Sequence, residues 1–326
     1  MHGRPTPLLG GIAVYLAFAI TILVFLRPAL HEQTTLLLAG AAVFALIGLI
    51  DDVRNAGAWK LAVESAVVVA IVWLGGFRVA LPWPVSGEIL AVLWIVGVAN
   101  AVNCLDCTDG VTAGMATIGG LALTLVAVLA HRWAVAAAAV AVAGAALGFL
   151  RYNFPPARIF LGDAGSLMVG FLLAGLSATI AIPRSSPAEL VAPVLILAIP
   201  TCDFLLVHLM RYRNGMKNPL TIVTSTGKDH LPHRLLGAGL SHRQVAWWLY
   251  GATIMLGLSA VILVLWGPLT AAIVMASFVV SAVVGGWGTG GASLGRSGYR
   301  MAMVSGTPLG AVPRGSSEDA AGVTRR

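Results

Sequence analysis

Residues 33–50 read QTTLLLAGAAVFALIGLI, eighteen positions without a charge, and the run closes on the adjacent pair Asp51-Asp52. About 20 apolar residues cross the hydrocarbon core of a bilayer as a helix. The stretch therefore reads as a transmembrane helix that ends in two carboxylates. The pattern recurs along the chain. Apolar runs fall at about 9–26, 33–50, 60–77, 88–105, 111–130, 133–150, 165–182, 189–210, 245–266 and 268–286. These ten spans are rich in Ala, Val, Leu and Gly, and small residues let helices pack closely in lipid. The first run is followed by many more, so it reads as a span and not as a removable signal peptide.

Composition agrees with this reading. Of 326 residues, 58% are hydrophobic and 10% charged, with a mean hydropathy of +0.91. An average soluble domain carries about 25% charge, so a water-soluble globule is excluded. A disordered or collagen-like chain is excluded as well, because the apolar content is too high and no G-X-Y period appears. The expected fold is all-α, a polytopic transmembrane helix bundle over residues 1–286. From WGTGGASLGRSGYR onward the composition turns to Gly, Ser and Arg, and 287–326 reads as a disordered cytoplasmic tail.

Ten spans place both termini on one side. The loops and tail of that side hold sixteen of the 20 lysines and arginines, against Arg27, Arg78, Arg132 and Arg184 on the other; without the tail the count is eleven against four. The positive-inside rule makes the first side cytoplasmic. The net charge of +7 is thus read as orienting the chain in a membrane, and no nucleic-acid partner is expected. Seven aspartates, Asp51, Asp52, Asp106, Asp109, Asp163, Asp203 and Asp229, fall at the same face. Acids near a bilayer are costly and mark function. Aspartates from separate segments beside basic loops suit a metal and a phosphorylated ligand.

Four motifs carry the chemistry. Asp51-Asp52 can coordinate Mg²⁺ directly or through water, or be a solvated helix end. Asn100-Ala-Val-Asn103-Cys-Leu-Asp106-Cys-Thr-Asp109-Gly110 sets amides and carboxylates, hard oxygen ligands, beside glycine. Cys104-x-x-Cys107 superficially resembles a redox or zinc pair. It has no second pair and no surrounding βαβ pattern, so it reads as packing. Arg151-Tyr-Asn-Phe-Pro-Pro-Ala-Arg158-Ile-Phe160-Leu-Gly-Asp163 leads into the head of a span, where Asp163 is a cation ligand or an N-cap. The loop at about 211–244 holds His230, His233 and Arg234, suited to a sugar diphosphate. A zinc site there lacks ligands, and a basic loop against anionic lipid is the alternative. Glu64 lies one turn inside a span, lining the site or snorkelling to the face. His2, His31, His131 and His208 have no motif around them and are read as structural or interfacial.

Together these segments resemble the polyprenyl-phosphate N-acetylhexosamine-1-phosphate transferases, glycosyltransferase family 4. That family includes the phospho-MurNAc-pentapeptide translocase and the eukaryotic dolichyl-phosphate GlcNAc-phosphotransferase. PTPLLGGIAVYL, LIGLIDDVRN, NAVNCLDCTDGVTAG, RYNFPPARIFLGDAGSL and DHLPHRLLGAGLSHRQ occur in the family's order, from His2 to about residue 250. The resemblance is nearest to the bacterial branch that uses UDP-GlcNAc-like donors. It implies that Asn103 and Asp163 bind Mg²⁺, with Mn²⁺ as a substitute. Asp51 and Asp52 are implied as the catalytic pair near the lipid phosphate. Phe160 is implied to stack on uracil. Asn100, Asp106, Asp109 and Arg158 are expected to bind the nucleotide sugar, and His230, His233 and Arg234 are implied to meet its diphosphate. Two positions depart from the pattern: Cys107 stands where a glycine is usual, and Pro232 where many members carry histidine. The family has one more helix ahead of PTPLLGG, which would raise the expected total to eleven.

The implied reaction moves a sugar-1-phosphate, GlcNAc-1-phosphate foremost, from a UDP-sugar to polyprenyl phosphate with release of UMP. It is the first membrane step of cell-envelope polysaccharide synthesis, at the inner face of the bacterial plasma membrane. A homodimer is compatible with the chain, whose oligomeric state the residues leave open. Two other readings compete. An intramembrane prenyltransferase would need paired N-D-x-x-D motifs, but Cys104 follows Asn103 and no second copy exists. A lipid or cation transporter would hold its acids in mid-membrane, usually with internal repeats.

Overall fold

The computed structural model describes residues 7–26, 32–54, 57–77, 85–180, 187–225, 227–273 and 275–276. The chain divides into two units, Met1–Val280 and Ser281–Arg326, and every described residue belongs to the first. The tail expected over 287–326, much of the span expected at 268–286, His2 and His31 lie outside the described residues.

Every regular element among the described residues is a helix: α1 Gly10–Phe25, α2 Glu32–Arg54, α3 Trp59–Leu74, α4 Ser86–Leu105, α5 Val111–Leu129, α6 Trp133–Asn153, α7 Gly162–Ile180, α8 Pro187–Ile196, α9 Ala198–Arg213, α10 Pro219–Thr224, α11 Leu231–Gly237 and α12 His242–Trp266. Nine of the ten apolar runs overlap these helices, but fewer of the helices are long enough to cross a membrane than the ten expected. Among the described residues six helices (α2, α4, α5, α6, α7 and α12) are long and apolar enough to cross a membrane, and the bent pair α8–α9 brings the number to seven if it is counted as one broken span. Helices α1 and α3 have 16 residues each. At 1.5 Å per residue they reach about 24 Å, short of the roughly 30 Å core.

The span expected unbroken over 189–210 is broken. Helices α8 and α9 meet at Leu197 with a bend of 70°. Pro200 cannot donate to the Ile196 carbonyl, and its ring crowds that carbonyl, so the ladder stops there. The expected short connections are present. Ala130, His131 and Arg132 turn α5 into α6, with His131 in the left-handed region at φ 55°, and Gly267 ends α12 at φ 86°.

Helix α7 is the axis. Apart from Asp163, all its residues are buried, and it packs on α1, α2, α4, α5 and α6. Its neighbours approach through glycine. A Cβ on Gly48 of α2 would overlap the Asp163 carbonyl and the Ala164 amide, and one on Gly11 of α1 would overlap the Gly165 backbone. Phe44 and Phe171 stack with centroids 4.4 Å apart, and Trp94 Nε1 donates to Ser177 Oγ at 2.8 Å. In lipid there is little hydrophobic force between helices, so such packing and polar contacts hold the bundle.

Candidate active site

The chain crosses the bundle in alternating directions, which gathers the ends of α2, α4 and α6 with the starts of α1, α3, α5, α7 and α12. A cleft of about 480 Å³ opens there, and its walls include Asp51, Lys60, Asn100, Asn103, Asp163 and His230. Six residues from four helices and the segment ahead of α11 thus share one hollow.

The two adjacent aspartates do different things. Lys60 Nζ donates to Asp51 Oδ2 at 2.5 Å, and both line the cleft. Asp52 turns to α7 instead. The Asp163 and Ala164 amides donate to its Oδ1 and Oδ2 at 2.9 and 3.2 Å. The first turn of any helix has amides without intrahelical acceptors, and Asp52 caps α7 from another helix. Gly162 permits the approach: its φ is +72°, and a Cβ there would press on the Asp52 carboxylate. The capping role is therefore filled without the Asp163 side chain.

Asn103 Nδ2 donates to Asp163 Oδ1 and to Ser166 Oγ, at 2.9 Å each. That leaves Asn103 Oδ1 and Asp163 Oδ2 as the outward groups, two hard oxygens on one wall. No three His, Cys, Asp or Glu side chains cluster closely enough to cage a metal among the described residues. The set suits Mg²⁺, which is held by one or two carboxylates plus water and substrate phosphate and not by an all-protein cage.

Asp106 and Asp109 part company. Ala157 N donates to Asp109 Oδ2 at 2.9 Å, while Asn153 accepts from Gly110 N and donates to Ile159 O, both at 3.0 Å. These bonds lock the loop after α4 to the loop after α6. Arg243 Nε donates to Pro155 O at 2.9 Å, and Tyr250 Oη to Gly110 O at 2.5 Å, so α12 clamps the same junction. Asp106 stands at the end of α4, where burial, helped by the neighbouring Asp163, Asp52 and Asp109 carboxylates, pushes its carboxyl up to about 7. Burial also pushes the Cys107 thiol up to about 12, which suits packing and not thiolate chemistry. Phe160 and Arg158 do not line the cleft. Their loop is stitched to the start of the chain: Phe160 N donates to Pro7 O at 2.9 Å, and Gly10 N to Phe160 O at 3.1 Å. Pro7 and Gly10 thus hold this loop through their backbones.

Of His230, His233 and Arg234, His230 alone lines the cleft, where Val223, Thr224, Ser225 and Gly227 of the same loop join it. Its Nδ1 meets Asp203 Oδ2 at 2.7 Å, and Leu231 N donates to Asp203 Oδ1 at 2.8 Å. Burial opposes charge on the imidazole, but the Asp203 carboxylate, with Cys104 beside it, outweighs burial and carries His230 up to about 9. His233 is half-buried and held below its ordinary value by burial. Arg234 is exposed and donates to Asp229 O at 2.6 Å. Arg211 grips the Asp229 carboxylate in a two-pronged pair, 2.8 Å on each arm, and reaches Ile222 O and Ser225 O. That pairing holds Asp229 below the usual carboxylate range and ties the loop to α9.

Lys60, Asp203 as the partner of His230, and the Arg211–Asp229 pair were not singled out by sequence reasoning. Lys60 had one signal, a lysine at the head of an apolar run nine residues after Asp51. The other pairings span 18 and 27 residues and leave no local mark.

Residues 34–181 match the family described as Glycosyl transferase family 4. A protein of Bacillus subtilis named "Probable undecaprenyl-phosphate N-acetylglucosaminyl 1-phosphate transferase" is 30% identical, over 81% of this chain and 75% of its own length. The decaprenyl-phosphate N-acetylglucosaminephosphotransferase of Mycolicibacterium smegmatis is 32% identical over 87% of this chain and 78% of its own. A phospho-N-acetylmuramoyl-pentapeptide-transferase of Moorella thermoacetica is 34% identical over 58% and 64%. Likeness of that extent, on a multi-pass helical bundle whose five motif segments meet at one end, makes the chain a membrane transferase that belongs to glycosyl transferase family 4.

Proposed function

We propose that this enzyme transfers GlcNAc-1-phosphate from UDP-GlcNAc to a polyprenyl phosphate, releasing UMP, with its cleft open to the cytoplasmic side of the inner membrane. The observation that carries the reading is the convergence of Asp51 with Lys60, Asn103 with Asp163, and His230 with Asp203 around a single cleft. Carboxylate, amide and imidazolium together suit a diphosphate and the cation that accompanies it.

In the reaction an oxygen of the lipid phosphate attacks the sugar-bearing phosphorus. A new P–O bond forms, and the bond to UMP breaks. A phosphate monoester has its second pKa near 6, so the lipid is already largely ionised at neutral pH and needs no strong base. Asp51 positions Lys60, whose ammonium receives the incoming phosphate. His230, held charged by Asp203, binds the donor diphosphate. Asn103 and Asp163 would hold Mg²⁺, which neutralises the departing phosphate when bound. Asp52 fixes the start of α7 and so the place of Asp163.

The direct test is UMP release by the full chain in membranes, given polyprenyl phosphate and a panel of UDP-sugars, with Mg²⁺, Mn²⁺ or excess chelator. UMP release that needs both lipid and divalent cation supports the reading. Full activity in chelator would remove the metal from the mechanism.

The histidine predicts a pH limb. His230 is raised by its partner, so its bond to Asp203 stabilises the fold fully below an ordinary histidine pKa of about 6.5. That contribution, and the charge offered to the donor, fade as pH rises through about 9. We expect kcat/KM for the UDP-sugar to fall above that pH. With Asp203→Asn the contact to Cys104 remains but the carboxylate that raises the imidazole is gone, so the fall moves to lower pH. An alkaline limb that stays in place in that variant would exclude His230 as its source.

A further inference from the structure

Asn100 and Asn103 stand one turn apart on α4, about 4.5 Å along the axis, and both line the cleft. Each has spent its amide nitrogen. Asn100 Nδ2 donates to Glu64 Oε2 at 2.6 Å and to Val96 O at 3.0 Å. Asn103 Nδ2 donates to Asp163 Oδ1 and Ser166 Oγ. Val96 O can only accept, and Ser166 Oγ commits its own proton to Gly162 O at 3.0 Å. Neither amide can be turned over without setting oxygen against oxygen. Each asparagine therefore keeps Oδ1, an acceptor, for the cleft. For Asn103 that oxygen belongs to the cation site described above. For Asn100, expected from the sequence to bind the nucleotide sugar, the group it meets is still to be assigned.

Glu64 points to one. Its side chain is 0% exposed, in α3, one turn from Lys60. A carboxyl sunk in a membrane helix is costly and marks function. Oε2 holds Asn100, and Oε1 has no hydrogen-bond partner among the described residues.

We propose that Asn100 selects a hydrogen-bond donor on C2 of the transferred sugar, the N–H of a 2-acetamido group, and that Glu64 is a positioning residue that keeps the Asn100 oxygen aimed at it. The inference rests on the reading that Asn103 and Asp163 hold the diphosphate end of the donor. In the nucleotide sugar, C2 adjoins the carbon that bears the phosphate. Its substituent therefore falls within about one helical turn of the phosphate, as Asn100 does of Asn103. A buried acceptor left without its donor is a strong discriminator, because the analogue that lacks the N–H strands it.

The test uses the full chain in lipid nanodiscs with Mg²⁺ and saturating polyprenyl phosphate, scoring UMP release from UDP-GlcNAc and from UDP-2-deoxyglucose. Wild type should prefer UDP-GlcNAc in kcat/KM. Asn100→Leu and Glu64→Met should each shrink that preference about tenfold or more. Glu64→Gln keeps an oxygen that can accept from Asn100 and should retain most of it. General damage to the fold lowers both donors alike and leaves the ratio unchanged. An unchanged ratio in active Asn100→Leu protein overturns the proposal, and so does a wild type indifferent to the two donors. If Glu64→Met does not fold, Asn100→Leu still decides. A wild type that releases UMP from no UDP-sugar at all overturns the functional reading, and the inference with it.

Discussion

Asp163→Asn should all but stop turnover, with kcat down by about a hundredfold to a thousandfold, the scale seen when one preorganised electrostatic group is lost, while the melting temperature stays near wild type. The asymmetry follows from the local bonding. Asparagine has the same shape, and its oxygen can still accept from Asn103 Nδ2, so the α4–α7 contact survives. The cap of α7 survives too, because Asp52 supplies it. What disappears is the charge that would hold a divalent cation. Steady-state rates, thermal unfolding and Mn²⁺ titration followed by spin resonance check the three parts separately. A well-folded variant with near wild-type kcat would end the assignment of Asp163 as a ligand.

Asp52→Ala should behave differently, losing both stability and rate. Two first-turn amides of α7 lose their acceptor, at a cost of about 1–2 kcal/mol for a lost cap. The start of the helix then shifts, and Asp163 with it. Misplacing a reacting group by about 1 Å costs on the order of a hundredfold, so kcat should fall by about that much, with a smaller change in the KM for UDP-sugar. Asp52→Asn keeps one oxygen toward α7 and should fall between the two. A loss confined to the donor KM would assign Asp52 to donor binding instead.

Much of this molecule is legible in its residues because lipid is a demanding solvent. An apolar run must be long enough to cross, so α2, α4, α5, α6 and α7 could be placed within a few residues. Carboxylates at span ends stand out against such a background, which made Asp51, Asp52, Asp106, Asp109 and Asp163 visible. Division of labour among them was not visible. Asp51 and Asp52 are neighbours in sequence, yet one reaches Lys60 nine residues on and the other reaches an amide 111 residues away. Side chains one position apart on a helix point in different directions, and only the packing of α2 on α7 decides which faces what. The break between α8 and α9 had a written signal in Pro193 and Pro200, masked by the continuity of the apolar run. Glu64 was conspicuous as a charge, but its partner Asn100 lies 36 residues away on another helix.

The burial of α7 bears on how the protein is made. Its mean hydropathy is 1.5, against 2.1 for α2, α6 and α12, yet 94% of its most apolar window is enclosed by other helices. A segment judged alone at the moment of insertion would have the weakest claim of the six on the bilayer, since its glycines and serines gain little from acyl chains. Helices α2 and α4, which contribute Gly48, Asp52, Trp94 and Asn103 to its surroundings, are both synthesised first. The order of the gene therefore doubles as an assembly schedule, in which the docking partners are already in the membrane when the helix that depends on them leaves the ribosome.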